Sequence, residues 1–279
     1  MLRIITDTGS DIPYLAAGAL GLELVELDIQ FEEFPYDYRN DTDYSVFFQL
    51  LAQSKKLPTT SQVTPGQYLE LFNDAEEKGD ELLVLTLASG MSGTHSSAVI
   101  AQEMSGYAGI TVVDTRQASI TQRMLAEYAV KLRDEGQSRA AIAETIENIC
   151  SSFRLIVMLD TLKYLRKGGR VPAPMAILGE ALGMKPVVAV WEAKVESLAK
   201  ARGIEAGKQA LWTQFEKDGY DETWPVYFGY SHDRARGEAF MQETKEKYGL
   251  QTCHLFPVGG VIGTHAGPGG IAMGYVKKR

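Results

Sequence analysis

Short apolar runs alternate along this chain with stretches whose apolar residues recur at helical spacing. That alternation predicts βα units wrapped on a mostly parallel sheet. Residues 2–6 read as a first strand, closed by the turn residues Asp7, Gly9, Ser10 and Asp11. Pro13 then falls in the first turn of a helix, where its missing N–H does no harm. Residues 82–87 read as a buried strand, 94–104 as a helix and 110–114 as another strand. Ile120, Met124, Tyr128 and Leu132 mark one face of an amphipathic helix, and Ile142, Ile146 and Cys150 mark another. A second rhythm starts near Ser151. Strands are expected at 155–159, 226–230 and 252–258, a strand pair at 186–190 and 194–198, a helix at 204–215, and a helix capped by Asp233 that reaches Tyr248. A length of 279 residues suits two domains, and no Pro/Gly/Ser-rich linker separates the halves. The expected division is 1–152 and 153–279, two α/β domains sharing a broad interface with a cleft.

Charge narrows the partners. There are 28 basic residues against 36 acidic ones, a net of −8, which opposes bulk contact with nucleic acid or an anionic membrane. Cys150 and Cys253 lie too far apart for a metal knuckle and read as small buried apolar residues in a reducing compartment. Asp7 and Asp11 stand where a signal peptide needs an apolar run, so a cytoplasmic protein is expected. Residues 248–276 carry no formal charge, but eight glycines and two prolines make them a folded loop region instead of a membrane span.

Three segments are polar where their surroundings are apolar: residues 58–62 (PTTSQ), 88–94 (ASGMSGT) and 263–269 (GTHAGPG). The second leads from a strand through glycines into a helix, whose first N–H groups are unpaired and whose dipole is positive there. With Gly93 permitting close approach and Ser92 and Thr94 supplying hydroxyls, it is a seat for a phosphate or carboxylate, or simply a helix cap. Thr60 and Ser61 read either as ligand groups or as turn formers capping the next helix. His265, beside a run of glycines, is expected in an exposed loop, solvated or functional. Arg170 joins Lys163, Arg166 and Lys167 in a basic cluster that is either a solvated face or a partner contact. Met175, Ile177, Leu178, Leu182 and Met184, with Gly179 and Gly183 among them, read as core or as the lining of a long apolar tunnel.

Familiar catalytic patterns fail. Gly90-Met91-Ser92-Gly93-Thr94 approaches a nucleophile elbow, but Thr94 stands where a second glycine is required. Gly267 to Ala272 matches G-x-G-x-x-A with too little chain after it for a dinucleotide-binding unit. No phosphate-binding loop of Walker type occurs, and the four histidines lack metal-ligand spacing, so neither cofactor nor metal is expected.

Taken together, D-T-G-S-D-I-P at the start, T-S-Q at 60–62, S-G-M-S-G-T at 89–94, Y-L-R-K-G-G-R at 164–170, L-G-x-x-L-G-M-K-P at 178–186, A-R-G at 201–203 and G-T-H-x-G-P-G at 263–269 resemble the DegV family of bacterial fatty-acid-binding proteins. The resemblance runs the length of the chain. It implies an α/β protein of two domains, a mostly parallel sheet with flanking helices first and a mixed-sheet domain second. It also implies a monomeric carrier, not an enzyme, that buries a long-chain fatty acid and presents it to a separate fatty-acid kinase for acyl-phosphate formation and phospholipid synthesis, with transient membrane exchange. By motif position the carboxylate ligands are Thr60 and Ser92, with Gly93, Thr264 and His265 completing the pocket and Ser61 and Thr94 as secondary candidates. Arg170 and Arg202 match positions turned toward the kinase. The expectation is a head group held by neutral hydroxyls with no arginine clamp. Three departures stand out: Val63-Thr64 follows T-S-Q, Thr121 and Arg123 occupy expected glycine positions where they would shorten the pocket, and Pro172 to Pro174 replace a polar stretch. A serine hydrolase or acyltransferase using Ser92 and His265, or a binder of another carboxylate, remain as alternatives.

Overall fold

The computed structural model describes residues 1–37, 39–171 and 183–278. The tunnel-lining expectation for Met175, Ile177, Leu178, Gly179 and Leu182, and the Pro172 to Pro174 departure, fall outside them.

The apolar runs of the first half become β1 (Leu2–Asp7), β2 (Leu22–Val25), β5 (Glu81–Thr86) and β6 (Ile110–Asp114), which form one four-stranded parallel sheet in the order β2-β1-β5-β6. Such strands are covered on both faces and so read as continuous apolar runs. Helices α1 (Tyr14–Leu20), α3 (Pro65–Lys78), α4 (Thr94–Ser105), α5 (Ser119–Asp134) and α6 (Arg139–Ile149) flank it. A separate antiparallel pair, β3 (Asp28–Gln30) with β4 (Thr59–Ser61), brackets α2 (Ser45–Gln53).

The second sheet is mixed, in the order β11-β10-β12-β7-β8-β9. Its strands are β7 (Phe153–Met158), β8 (Met184–Trp191), β9 (Lys194–Arg202), β10 (Val226–Tyr230), β11 (Cys253–Pro257) and β12 (Ile271–Val276). Only the β10–β11 pair is parallel. Here the uncharged stretch departs from expectation: it supplies β11, the short helix α10 (Gly260–Ala266) and β12, a central strand buried at every residue. Its glycines mislead because they serve packing. Cβ atoms at Gly260 and Gly263 would stand 2.8 Å from Ile29 or Phe47 side-chain atoms, and one at Gly274 would stand 2.9 Å from Thr121. Helices α7 (Lys163–Lys167), α8 (Ile204–Asp218) and α9 (Arg234–Tyr248) complete the described elements, and Asp233 caps α9 as expected, accepting the Arg236 N–H.

One apolar core runs through both sheets. Ile4, Leu83 and Ile146 belong to the same buried cluster as Phe153, Tyr227 and Ala272. Arg123 reinforces the seam: it pairs with Glu127 at 2.8 Å and lies 3.6 Å over the Phe256 ring. Neither it nor Thr121 lines the main cavity, so the expected shortening of the pocket at these positions is not what their bulk does.

Candidate functional site

The three polar segments converge on a cavity of about 390 Å³ between the sheets, within the ~300–1,000 Å³ of small-molecule sites. Its polar wall holds Thr60, Ser61, Gln62, Ser92, Gly93, Arg170 and His265. The remainder is chiefly aliphatic, with Leu27, Leu87, Leu155, Val157, Val190 and Val261 among its residues. Met184 and Gly183 do not line it.

Local folding explains each position. Thr60 sits mid-strand in β4, paired with Ile29, and does not cap the next helix. Thr64 does that, in a reciprocal capping box with Gln67. Gly93 is the N-cap of α4, and any Cβ there would stand 1.9 Å from the Gln62 carbonyl oxygen, so glycine is what lets the two loops touch. Gln62 is in turn fixed by donating to Ser97 Oγ at 2.8 Å. The β8–β9 turn closes over the same loop, with the Ala193 carbonyl where a Gly90 Cβ would be.

His265 is not in an exposed loop. It lies in the last turn of α10 and is largely buried, with a Gly168 Cβ position only 2.0 Å from its Nδ1. Its Nε2 meets Thr60 Oγ1 at 2.9 Å, and Nδ1 has no partner. Burial first, then the Arg170 guanidinium, depress the imidazole pKa to about 4, so the ring is neutral near pH 7. A buried orphan acceptor costs less than a buried orphan donor, which assigns the proton to Nε2 and the donation to Thr60. Thr60 then accepts from His265 and keeps its own hydroxyl proton for the cavity. Ser92 is arranged alike: its Oγ accepts the Thr94 N–H at 3.3 Å and lies 2.9 Å from Thr94 Oγ1, so Thr94, fully buried, supports Ser92 from behind. Two hydroxyls are thereby primed as donors on one wall.

Arg170 corrects the expectation of an all-neutral head-group site. It lines the cavity, donating from Nε to the Met91 carbonyl at 3.0 Å and from Nη1 to the Gly168 carbonyl. The motif reading missed it as a wall residue because a Gly-Gly-Arg turn does not reveal which way the arginine folds back. Gln62 was also passed over, although its place beside Thr60 signalled it. Thr264 is buried but bonded within its helix to the Gly260 carbonyl, at 2.8 Å, and is not in the lining. Arg202, exposed at the end of β9, is not in the lining either. Since His265 engages Thr60 and not Ser92, no base activates Ser92 for nucleophilic attack.

Among the described residues no helix is long and apolar enough to cross a membrane. A family model described as "Uncharacterised protein, DegV family" matches residues 1–278. The chain is 35% identical over 240 residues to the DegV domain-containing protein YteA of Lactococcus lactis, covering 82% of each chain. It superposes with a TM-score of 0.87 on a fatty-acid-binding DegV family protein of Thermus thermophilus, at 29% identity and 99% of each chain. The corresponding figures for DegV of Bacillus subtilis, a fatty acid binding protein, are 0.84, 25% and 99%. From its first strand to its last, this chain belongs to the DegV family.

Proposed function

We propose that this chain is a cytoplasmic, non-enzymatic carrier that buries a long-chain fatty acid in the inter-sheet cavity and presents the carboxylate to a separate fatty-acid kinase for acyl-phosphate formation. Residues 1–152 and 153–279 act as its two domains. Thr60 and Ser92 hold the carboxylate, with Gly93, Ser61, Thr94, Thr264 and His265 completing or supporting the pocket, and Arg170 and Arg202 face the kinase. The observation that carries this reading is the convergence of two primed hydroxyl donors on one wall of an otherwise greasy cavity. The fatty-acid-binding proteins of T. thermophilus and B. subtilis support the ligand class.

Energetics divide the labour. Burying about fourteen methylenes at ~0.8 kcal/mol each gives a gross ~11 kcal/mol, from which ordering costs subtract. A hydrogen bond to the charged carboxylate adds only ~1.5–3 kcal/mol. Tail burial sets retention, and the hydroxyls set orientation. Native mass spectrometry of the purified chain should show a bound fatty acid. Thr60→Ala with Ser92→Ala should retain most of that lipid while losing most kinase-dependent acyl phosphate. A chain that purifies without lipid and accepts none refutes the carrier reading, and equal loss of both activities refutes the division.

A further inference from the structure

Away from the polar wall, the cavity is lined by aliphatic residues, methionine and glycine with two exceptions, Ser119 and Ser231, which are 3% and 1% exposed. Ser119 opens α5 with φ at 56°, and its hydroxyl donates to Asp11, whose own φ is also 56°. Two buried residues are thus held in the left-handed region, 108 positions apart in sequence, to fix one hydroxyl. Because its proton goes to Asp11, Ser119 Oγ offers the cavity lone pairs only. Ser231 is the reverse case. Its Oγ accepts the Gly270 N–H at 2.7 Å, and its proton meets no acceptor among the described residues.

The two serines belong to adjoining elements. Ile120, the next residue after Ser119, lies 3.6 Å from the Cβ position of Gly229, which precedes Ser231 by two. The Val258 N–H bonds to the Tyr230 carbonyl at 2.8 Å, and Gly259 stands against Asp11. An acceptor and a free donor on neighbouring walls match an alcohol, which both donates and accepts. Elsewhere in such a cavity an unpaired ligand hydroxyl would be penalised.

We propose that Ser119 and Ser231 form a tail-reading subsite that takes a hydroxyl carried along the acyl chain, so that the ligand class extends to hydroxy fatty acids. This rests on the fatty-acid reading above. The test loads the delipidated full chain with equimolar stearate and one positional isomer of hydroxystearate at a time, read by native mass spectrometry. One isomer should exceed stearate by about fivefold, the yield of one or two net hydrogen bonds, with isomers on either side falling below it. Ser231→Ala should bring that ratio down to one or less. A series in which every hydroxystearate loads below stearate overturns the subsite, and so does an unchanged ratio in a folded Ser231→Ala. Failure to load stearate and every isomer alike would instead overturn the fatty-acid reading. The wild-type series is decisive even if the variant does not fold.

Discussion

Gly168→Ala isolates the role of His265. Gly168 closes α7 with φ at −78°, an ordinary helical value, so alanine meets no backbone penalty there and gains ~1 kcal/mol of helix propensity. The added methyl would nevertheless sit 2.0 Å from His265 Nδ1, which is 1.4 Å inside the 3.4 Å at which ordinary contact begins. The ring must move, and its 2.9 Å contact with Thr60 goes with it. Overpacking of this kind costs ~1–3 kcal/mol, partly offset by propensity, so the fold should survive with a melting temperature lowered by a few degrees. The Thr60 donor, no longer oriented by the imidazole, would forfeit its ~1.5–3 kcal/mol on a carboxylate, about ten- to a hundredfold in affinity. Competition for a fluorescent fatty acid measures that loss. Gly169→Ala is the control: its φ of +71° makes alanine strained, but no atom lies within 4 Å of the new methyl. It should therefore lose stability without losing the ligand. Wild-type affinity in a folded Gly168→Ala would refute the claim that His265 organises the head-group wall through Thr60.

Two further outcomes follow from burial. Desolvation pushes the Asp11 carboxyl up to about 7 from 3.8, so its stabilising contribution is full below the unfolded value and is lost as pH rises through the folded one. Asp11→Asn, which keeps an acceptor for Ser119, should gain on the wild type by up to about 4 kcal/mol between pH 4 and pH 8 in urea unfolding; a constant difference across that range would be the contrary result. Arg170→Gln removes the cation that helps hold His265 near 4, so the imidazole should titrate nearer its ordinary 6.5, though still below it because burial dominates. NMR titration of the ring protons reads this directly, and an unmoved midpoint would mean that the guanidinium does not face the ring.

The parallel sheet was legible because its strands are buried on both faces and therefore spell their positions in continuous apolar letters; Ile110–Asp114 and Val226–Tyr230 fall where the pattern puts them. Short edge elements such as β3 and β4 were not, because three residues carry no period. β12 was missed for a different reason. Gly274 within it gives room to Thr121 of α5, and glycine reads as a turn when its packing partner is more than a hundred positions away. The head-group residues were found through their motifs, not through geometry. What the motifs withheld was orientation: that Arg170 folds back into the wall, that Thr264 spends its hydroxyl on its own helix, and that His265 leans on Thr60.

β12 follows every other described strand in the chain yet lies between β10 and β7, with Ile271 against Met158. Until it inserts, β7 and β10 each present an unpaired border, and both are rich in side chains prone to self-association. Assembly of this half must therefore wait on a late, long-range closure, which makes it the slower and more aggregation-exposed part of folding. The same closure brings Ile271 and Ala272 to the cavity wall, so a partly folded molecule has no compartment in which a lipid could be trapped prematurely.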